Sequence, residues 1–400
     1  MSTEFRIRVA SSMDEIDAAA WNRLIEPEDG SRHGNPFLLH AFLSALEKSG
    51  SATAKTGWLA QHLVLEDENG EISGALPCYL KNHSQGEYVF DHGWADALER
   101  AGGRYYPKLQ CSVPFTPATG PRLLVQRGEG EDSRRNALLQ GLTLLAERHG
   151  VSSAHITFMQ ENEWKLAGEA GFLQRTDQQF HWQNNGYSHF DDFLASLSSR
   201  KRKNIRKERE TALAQTGIEI DWLSGDALTE TVWDRFFEFY MDTGSRKWGR
   251  PYLTREFYSM IGATMADRIV LMMARRGGKY IAGAINFRSS TTLYGRHWGC
   301  VEDHACLHFE VCYYQAIDHA IAHSLQRVEA GAQGAHKLAR GYLPQITRSA
   351  HWIGHPGLRN AVANYLEDER QHVEMENQSL REHAPFRKNA GLSAHREDSE

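Results

Sequence analysis

The sequence Val328-Glu329-Ala330-Gly331-Ala332-Gln333-Gly334-Ala335-His336-Lys337-Leu338-Ala339-Arg340-Gly341 combines an acid, an amide, an imidazole and two cations with three glycines. Its first residues are typical of a short strand. Just upstream, apolar residues between Leu307 and His323 recur at helical spacing. A helix, a strand and a polar loop therefore follow in quick succession. Ligands in α/β folds commonly bind at such junctions, which predicts a functional site here.

Working outward, a similar order of elements occurs in both halves of the chain. The first half has two helices, a hairpin turning at Asp67-Glu68-Asn69-Gly70, a long loop, and then a strand, a helix and a strand. The second half has helices, three strands from Ile269 to Trp298, a helix and the strand Arg327 to Ala330. We therefore predict an α/β (α+β) fold with a structural duplication. The predicted domains cover residues 1–185 and 186–374, followed by a charged, disordered tail at 375–400.

The composition is that of a globular protein, with 41% hydrophobic residues, 24% charged residues and a net charge of −6. This mild acidity gives no general attraction to nucleic acid or anionic membranes. The five cysteines are scattered and are predicted to be reduced. No segment has the length and apolarity of a signal peptide or a membrane span, so a cytoplasmic location is expected. The oligomeric state is not predicted.

Two carboxylates are candidates for the catalytic base. Glu310 shares a helical stripe with Leu307, Tyr314 and Ile317, and therefore lies on the apolar face, while Glu329 lies at the end of a strand. A carboxylate removed from water has a raised pKa and can accept a proton near neutral pH. The alternative for Glu310 is that it anchors a buried arginine or a tyrosine hydroxyl.

The loop after Glu329 suits an anionic group, because glycines let backbone amides approach an anion and cations neutralise it. His336 to Arg340 are also helix-spaced, so a solvated charged face is the alternative. In the first half, Lys81 to Arg122 is an aromatic-rich loop with a few polar groups, as in a pocket or a structural plug between domains. The predicted catalytic residues are Glu310, Glu329 and His336. The predicted substrate-binding residues are Lys81, His83, Glu87, Asp91, His92, Trp94, Tyr106, Lys108, Arg122, His297, Tyr314, Gln333, Lys337 and Arg340.

A basic helix from Arg200 to Arg209 has the charge to meet phosphates, of tRNA for example, although a solvated helix face explains the same pattern. His304 and His308 have H-x-x-x-H spacing, but Ala305 stands where a zinc protease has its glutamate, so no metal site is predicted. The sequence contains no G-x-x-x-x-G-K-[ST] loop and no strand-associated G-x-G-x-x-G. Phosphoryl and hydride transfer are therefore disfavoured.

Several strings resemble the FemAB-like peptidoglycan biosynthesis/recognition family of bacterial proteins over about Pro36 to Glu369. They are Tyr79-Leu80-Lys81 with His83-Ser84, Gly86-Glu87-Tyr88-Val89-Phe90-Asp91, Tyr105-Tyr106-Pro107-Lys108-Leu109, Pro114-Phe115-Thr116-Pro117, His308-Phe309-Glu310, and Glu329-Ala330-Gly331-Ala332-Gln333-Gly334 with His336-Lys337. The resemblance implies tandem GNAT-type acyltransferase domains. It also implies kinship with enzymes that transfer amino acids from aminoacyl-tRNA to peptidoglycan precursors.

The resemblance predicts a transferase that forms an amide on an amine acceptor, a small molecule or a peptidoglycan precursor. The chain lacks a complete Q/R-x-x-G-x-G/A turn, the element with which GNAT enzymes hold acetyl-CoA. No tightly bound cofactor is expected, and acyl-CoA or aminoacyl-tRNA remains possible as a co-substrate. Two alternatives stay open, namely an acetyl-CoA-dependent N-acetyltransferase and a non-catalytic module that recognises peptidoglycan or a partner protein.

Overall fold

The computed structural model describes residues 5–25, 34–214, 217–248, 251–331 and 334–387. The strands are β1 (Arg6–Ala10), β2 (Trp58–Ala60), β3 (His62–Glu66), β4 (Ile72–Leu76), β5 (Tyr79–Lys81), β6 (Lys108–Cys111), β7 (Leu124–Val125), β8 (Ser153–Thr157), β9 (Leu173–Gln183), β10 (Ile218–Leu223), β11 (Ile269–Arg276), β12 (Lys279–Arg288), β13 (Thr292–Cys300), β14 (Arg327–Glu329) and β15 (Leu343–Ile353).

The helices are α1 (Ala18–Arg23), α2 (His40–Lys48), α3 (His92–Arg100), α4 (Glu131–His149), α5 (Glu161–Glu169), α6 (Phe190–Ser196), α7 (Ser199–Ala212), α8 (Glu230–Trp248), α9 (Arg255–Met265), α10 (Leu307–Phe309), α11 (Gln315–Ala322) and α12 (Pro356–Glu382). A π-helical turn, Glu310–Tyr314, joins α10 to α11. The predicted helix from Leu307 to His323 is thus present, with one wide turn inside it.

A small antiparallel sheet and a large mixed sheet, flanked by helices, confirm the predicted α/β class. A four-stranded sheet has the order β1-β3-β4-β7, and an eleven-stranded sheet has the order β10-β11-β12-β13-β14-β9-β15-β8-β6-β5-β2. Each half contains a parallel strand pair, β6 with β8 and β13 with β14. The predicted duplication is therefore visible in the sheet itself.

The two halves exchange strands at the centre of the large sheet. The first-half strand β9 pairs with β14 of the second half, and the second-half strand β15 lies between β8 and β9. The predicted domain boundary at 185/186 falls in the turn after β9, but the sheet continues across it. A shared core also joins the halves, since Phe37 and Phe42 pack against Phe257 and Phe287.

Three long elements were not predicted from the sequence, namely β9, β15 and α12. The helix α12 crosses the predicted start of the disordered tail at residue 375. Asn377 is buried on it, Leu380 packs on the second-half core, and the Arg387 amide donates to Ser196 O at 3.0 Å. Residues 375–387 therefore belong to the fold, because Leu380 and Phe386 pack on the second-half core. Residues 388–400 of the predicted tail lie outside the described residues.

The parallel strands β13 and β14 separate soon after they meet. Their register covers Thr292↔Arg327 to Tyr294↔Glu329, and β13 then continues to Cys300 while β14 ends. Gly299, in this free part of β13, lets helix α8 come close, because an added Cβ would lie 2.0 Å from Phe239 O.

Candidate functional site

Glu329 is the last residue of β14, at the point where β13 and β14 separate. Its side chain is 3% exposed, with Arg327 Nε 3.3 Å and His181 Nε2 3.9 Å from its two oxygens. Among the described residues, neither carboxylate oxygen has a well-aligned hydrogen bond. Burial raises the pKa of Glu329 to about 7, against the lowering effects of Arg327 and of the nearby Thr119 backbone amide, which approaches the carboxylate without good alignment. A carboxylate in this state can accept and release a proton at neutral pH.

His181 faces Glu329 in the register of β9 and β14. Burial lowers the pKa of His181 to about 3, so the imidazole is neutral at pH 7 and does not form an ion pair with Glu329. Its Nε2 lies 3.3 Å from Gln179 Oε1, and the Gln179 amide donates to Pro117 O at 2.8 Å. A buried polar chain therefore runs from Glu329 through His181 to Gln179.

Gln179 lines a cavity of about 310 Å³ at the seam between the halves. The seam cavity is formed by the first-half loop, the exchanged strands β9 and β15, helix α12 and Gly334. The cavity is lined by four aromatic side chains, Tyr88, Phe90, Phe158 and Phe180, and by two carboxylates, Asp177 and Glu376. It has the size and the aromatic lining of a small-ligand site.

Unusual backbone conformations cluster at this seam. Tyr88 and Phe158, which line the cavity, have φ of 60° and 58°, and nearby Phe115 has φ of 58°. Backbone hydrogen bonds hold the loops that carry them, since the Phe115 amide donates to Gly86 O and the Gly120 amide donates to Phe158 O. Bulky residues in the left-handed region store strain, which concentrates at functional sites.

Glu310, the second predicted base, lies in a different environment. It is fully buried on the π-helical turn and accepts hydrogen bonds from Arg209 Nη2 at 2.9 Å and Gln315 Nε2 at 2.8 Å. Arg209 also pairs with Asp318 at 2.7 Å. Burial raises the pKa of Glu310, with Arg209 opposing the rise. The carboxylate is engaged by fixed partners, as in the alternative of an arginine anchor.

The loop after Glu329 lies partly outside the described residues, because Ala332 and Gln333 belong to the undescribed part. Lys337 is buried and donates to Gly331 O at 3.0 Å, and burial lowers its pKa to about 8. His336 Nε2 lies 2.9 Å from the Tyr313 hydroxyl. The loop is thus anchored by His336, which was predicted to be catalytic, and by Lys337, which was predicted to bind substrate.

Arg340 and Tyr314 share one partner. Arg340 Nη2 donates to Glu208 at 2.9 Å, its guanidinium lies 3.5 Å from the Phe309 ring centre, and the Tyr314 hydroxyl donates to Glu208 as well. These contacts tie the loop to helix α7. Both side chains therefore position the loop in this structure.

The first-half loop brings four of its predicted residues into one buried ion cluster, Lys81, Glu87, Asp91 and Lys108. Lys108 Nζ donates to Glu87 at 2.7 Å and to Asp91 at 2.5 Å, and Lys81 lies 3.6 Å from Glu87. Burial lowers the pKa of Lys81 to about 7, although Glu87 raises it. The ion cluster is almost closed to solvent and its charges largely balance.

Polar neighbours extend this ion cluster. Lys108 also donates to Ser84, which is 2.7 Å from the Tyr106 hydroxyl, and His83 Nδ1 lies 3.4 Å from Lys81 Nζ. Six of the predicted binding residues thus meet, but they bind one another. They hold the loop that carries Tyr88 and Phe90 against the seam.

The other predicted binding residues are dispersed. Trp94 packs edge-on against His351, and His92 is exposed at the start of α3. The buried Arg122 guanidinium donates to carbonyls of its own loop, including Ala118 O at 2.8 Å. His297 packs against Tyr240, and burial lowers its pKa to about 3. None of these four lines the seam cavity.

The residues that line the seam cavity on β9 and α12 were missed by the sequence analysis. Asp177, Phe180 and Glu376 lie on elements that were not predicted. A signal was present only for Tyr88 and Phe90, which belong to one of the strings that carry the family resemblance. The other lining residues reach the cavity only through the tertiary packing of β9, β15 and α12.

The predicted basic helix is present as α7. Arg200, Lys203, Arg206 and Lys207 are exposed on it, while Ile205 is buried. Arg206 pairs with Asp191 at 3.1 Å. The exposed basic face is thus available to a phosphate-rich molecule. Within the described ranges, the helices are either too short or too polar to cross a membrane.

Comparisons with known proteins agree with this architecture. Residues 12–388 match the sequence profile of the FemAB-like family, whose description is peptidoglycan biosynthesis/recognition. The crystal structure of FemX is similar with a TM-score of 0.54 and 12% identity, over 87% of this chain and 98% of FemX. These findings confirm the predicted family resemblance and the tandem GNAT-like fold. No curated protein matches the chain in sequence.

Two further solved structures are similar. One is the C-terminal domain of a protein assigned as a lysylphosphatidylglycerol synthetase of Agrobacterium fabrum, with a TM-score of 0.53 and 10% identity over 89% of this chain and 97% of that one. The other is a conserved protein of unknown function from Bacteroides thetaiotaomicron, with a TM-score of 0.50 and 12% identity over 86% and 99%. At these identities the likeness concerns the fold alone.

Proposed function

Because the chain belongs to the FemAB-like family, we propose that it is a transferase that forms an amide bond by passing an acyl or aminoacyl group to an amine. The observation that carries the proposal is Glu329, a buried carboxylate with a pKa of about 7 at the opening between two parallel strands. Amine acylation needs a base of this kind, because the attacking nitrogen must lose a proton.

In the proposed reaction the neutral amine nitrogen attacks the carbonyl carbon of a thioester or an ester. The new bond joins carbon and nitrogen, and the bond that breaks joins carbon to sulfur or oxygen. Glu329 takes one proton from the nitrogen and returns it to the leaving thiolate or alkoxide. The carboxylate is thus regenerated in each cycle.

The loop that begins at Gly331 supports stabilisation of the oxyanion. Gly331 and Gly334 have φ of 80° and 120°, which places backbone amides in orientations that most residues avoid. Exposed amides aimed at a developing negative charge contribute strongly to acyl transfer. Lys337, held at Gly331 O, adds positive charge beside them.

The acyl donor is the least defined part of the proposal. The exposed basic face of α7 suits a donor rich in phosphate, which favours aminoacyl-tRNA over acyl-CoA. The acceptor would be a small amine or a peptidoglycan precursor. The reaction would take place in the cytoplasm, where charged tRNA and acyl-CoA are both present.

Calorimetry with acetyl-CoA and with a charged tRNA tests the donor directly. Tight, salt-dependent binding of the tRNA with no heat from acetyl-CoA is the expected result. Transfer is then followed from labelled aminoacyl-tRNA to a peptidoglycan precursor, with wild type and the Glu329→Gln variant. Normal transfer by that variant contradicts the role of Glu329, and binding without transfer by either protein identifies a recognition module instead.

A further inference from the structure

The seam cavity combines two features that together select for positive charge. Its carboxylates, Asp177 and Glu376, come from two different elements, β9 and α12. Its walls are the rings of Tyr88, Phe90, Phe158 and Phe180. Aromatic faces and carboxylates attract the same class of ligand, since both present negative charge to it.

These two carboxylates are not paired within the protein. Among the described residues, neither Asp177 nor Glu376 takes part in a salt bridge, and Asp177 accepts a hydrogen bond only from the Gln178 amide, at 2.7 Å. Asp177 and Glu376 are both exposed at the mouth of the cavity. Partial desolvation by the surrounding side chains raises the pKa of Asp177, and Glu369 and Glu376 raise it further. The local field is therefore negative even though Arg175 lies nearby.

Basic side chains around the seam cavity are already engaged. Arg175 makes two hydrogen bonds of 2.7 Å to Glu369. Arg296, which lies near Tyr88, donates to Phe115 O. Lys337 donates to Gly331 O. The residues that line the cavity in the described structure include no lysine, arginine or histidine. A diphosphate or a carboxylate would meet like charge here.

We propose that the seam cavity binds a ligand through an ammonium group, which contacts the exposed carboxylates of Asp177 and Glu376 at the mouth of the cavity and packs against its aromatic rings. The volume of about 310 Å³ accommodates an aminoalkyl chain rather than a nucleotide-linked precursor. Backbone hydrogen bonds of the surrounding loops hold Tyr88 and Phe158 in their left-handed conformations, which fixes the position of these two walls. The site is thus preorganised for an alkylamine.

Polar side chains behind the cavity relate this binding site to the proposed base. Gln179 lines the cavity and approaches His181, which approaches Glu329. Gln179 is thus the residue that connects the cavity wall with the surroundings of the proposed base. The identification of the ligand as the acyl acceptor rests on the proposed function, whereas its binding does not.

Calorimetry of the full chain with cadaverine tests the inference, with glutarate and 1,5-pentanediol as anionic and neutral probes of equal chain length. Cadaverine is expected to bind, with affinity that falls as salt rises, while the other two do not. The double variant Asp177→Asn/Glu376→Gln is expected to raise the Kd for cadaverine about tenfold or more. Glu374→Gln, an exposed change on the same helix outside the cavity, is the matched control and is expected to leave the Kd unchanged.

Equal binding of glutarate and cadaverine, absence of any cadaverine binding, or an unchanged Kd in the double variant would each overturn the proposal. Circular dichroism of the variants confirms that they fold. A protein that binds cadaverine but transfers no acyl group keeps this inference and loses the proposed function. A protein that transfers the group to an amine but shows no cadaverine binding keeps the function and loses this inference.

Discussion

Glu310 and Glu329 are both buried carboxylates in the second half, and burial raises the pKa of both. Their surroundings differ in one respect. Glu310 accepts hydrogen bonds from Arg209 and Gln315, whereas Glu329 has Arg327 at 3.3 Å without a well-aligned bond among the described residues. Burial by itself therefore does not identify a reactive carboxylate. We infer that well-aligned hydrogen bonds, present at Glu310 and absent at Glu329 among the described residues, decide whether a buried acid is held in one charge state or can exchange a proton.

The largest effect expected from this contrast is on turnover. Glu329→Gln removes the proposed base at constant size and is expected to lower the transfer rate by about 10²–10⁴-fold. Glu310→Gln is expected to keep the rate within about threefold, because a paired carboxylate is not the proton acceptor. Single-turnover transfer from a labelled donor measures both. Equal losses in the two variants would remove the distinction between the carboxylates.

The second prediction concerns the pH dependence of stability. The pKa of Glu329 lies at about 7 in the folded protein, above its ordinary value of 4.5. The folded state therefore binds this proton more tightly, and the resulting stabilisation is complete below pH 4.5 and is lost as the pH rises through 7. Relative to Glu329→Gln, the wild type is expected to lose up to about 3 kcal/mol over this window.

Urea unfolding of both proteins at several pH values measures this difference. The comparison with Glu329→Gln matters because other groups titrate nearby. Lys81, for example, has a lowered pKa of about 7 and contributes with the opposite sign above that pH. A difference between the two proteins that does not vary with pH would show that Glu329 stays ionised throughout.

The third prediction concerns the stabilising role of the paired carboxylate. Glu310→Gln is expected to lower the free energy of unfolding by roughly 1–3 kcal/mol, because Arg209 loses a charge-assisted partner but keeps Asp318. Urea unfolding at neutral pH measures the loss. If the variant is as stable as the wild type, the free-energy cost of burying the Glu310–Arg209 pair equals the free energy gained from its interaction.

The smallest effect is expected at Asp318, the outer partner of Arg209, whose side chain is 24% exposed. Asp318→Asn is expected to lower the free energy of unfolding by about 0.5 kcal/mol, since solvent screens a partly exposed pair. Asp191→Asn, which breaks the exposed pair with Arg206, serves as the control with no measurable change. If Asp318→Asn lowers the free energy of unfolding as much as Glu310→Gln does, the more buried partner of Arg209 is not the more important one for stability.

Much of the second half was predictable because its strands and helices carry clear periodic patterns. β11, β12 and β13 match the predicted runs closely, and the amphipathic stripe with Glu310 lies on the predicted helix. The end of β14 at Glu329 was also predicted within one residue. Local hydrophobic spacing is enough to define such elements, since each buries one face whatever its neighbours are.

The exchanged strands were not predictable by the same means. β9 contains Arg175, Gln179 and His181, which look exposed in a sequence but are buried in the structure. Their burial is possible because distant segments satisfy them, as Glu369 does for Arg175 and Pro117 O does for Gln179. A buried polar strand has no hydrophobic signature of its own.

The sequence by itself determined the α/β class, the duplicated order of elements, the family resemblance and the presence of a buried acid after a strand in the second half. Tertiary structure alone decided which acid accepts well-aligned hydrogen bonds, that the predicted binding residues of the first half neutralise one another, and that a cavity forms between the halves. The physical reason is that pairing, exclusion of water and cavity shape depend on contacts between residues far apart in the chain, whereas periodicity and turn chemistry depend on neighbours.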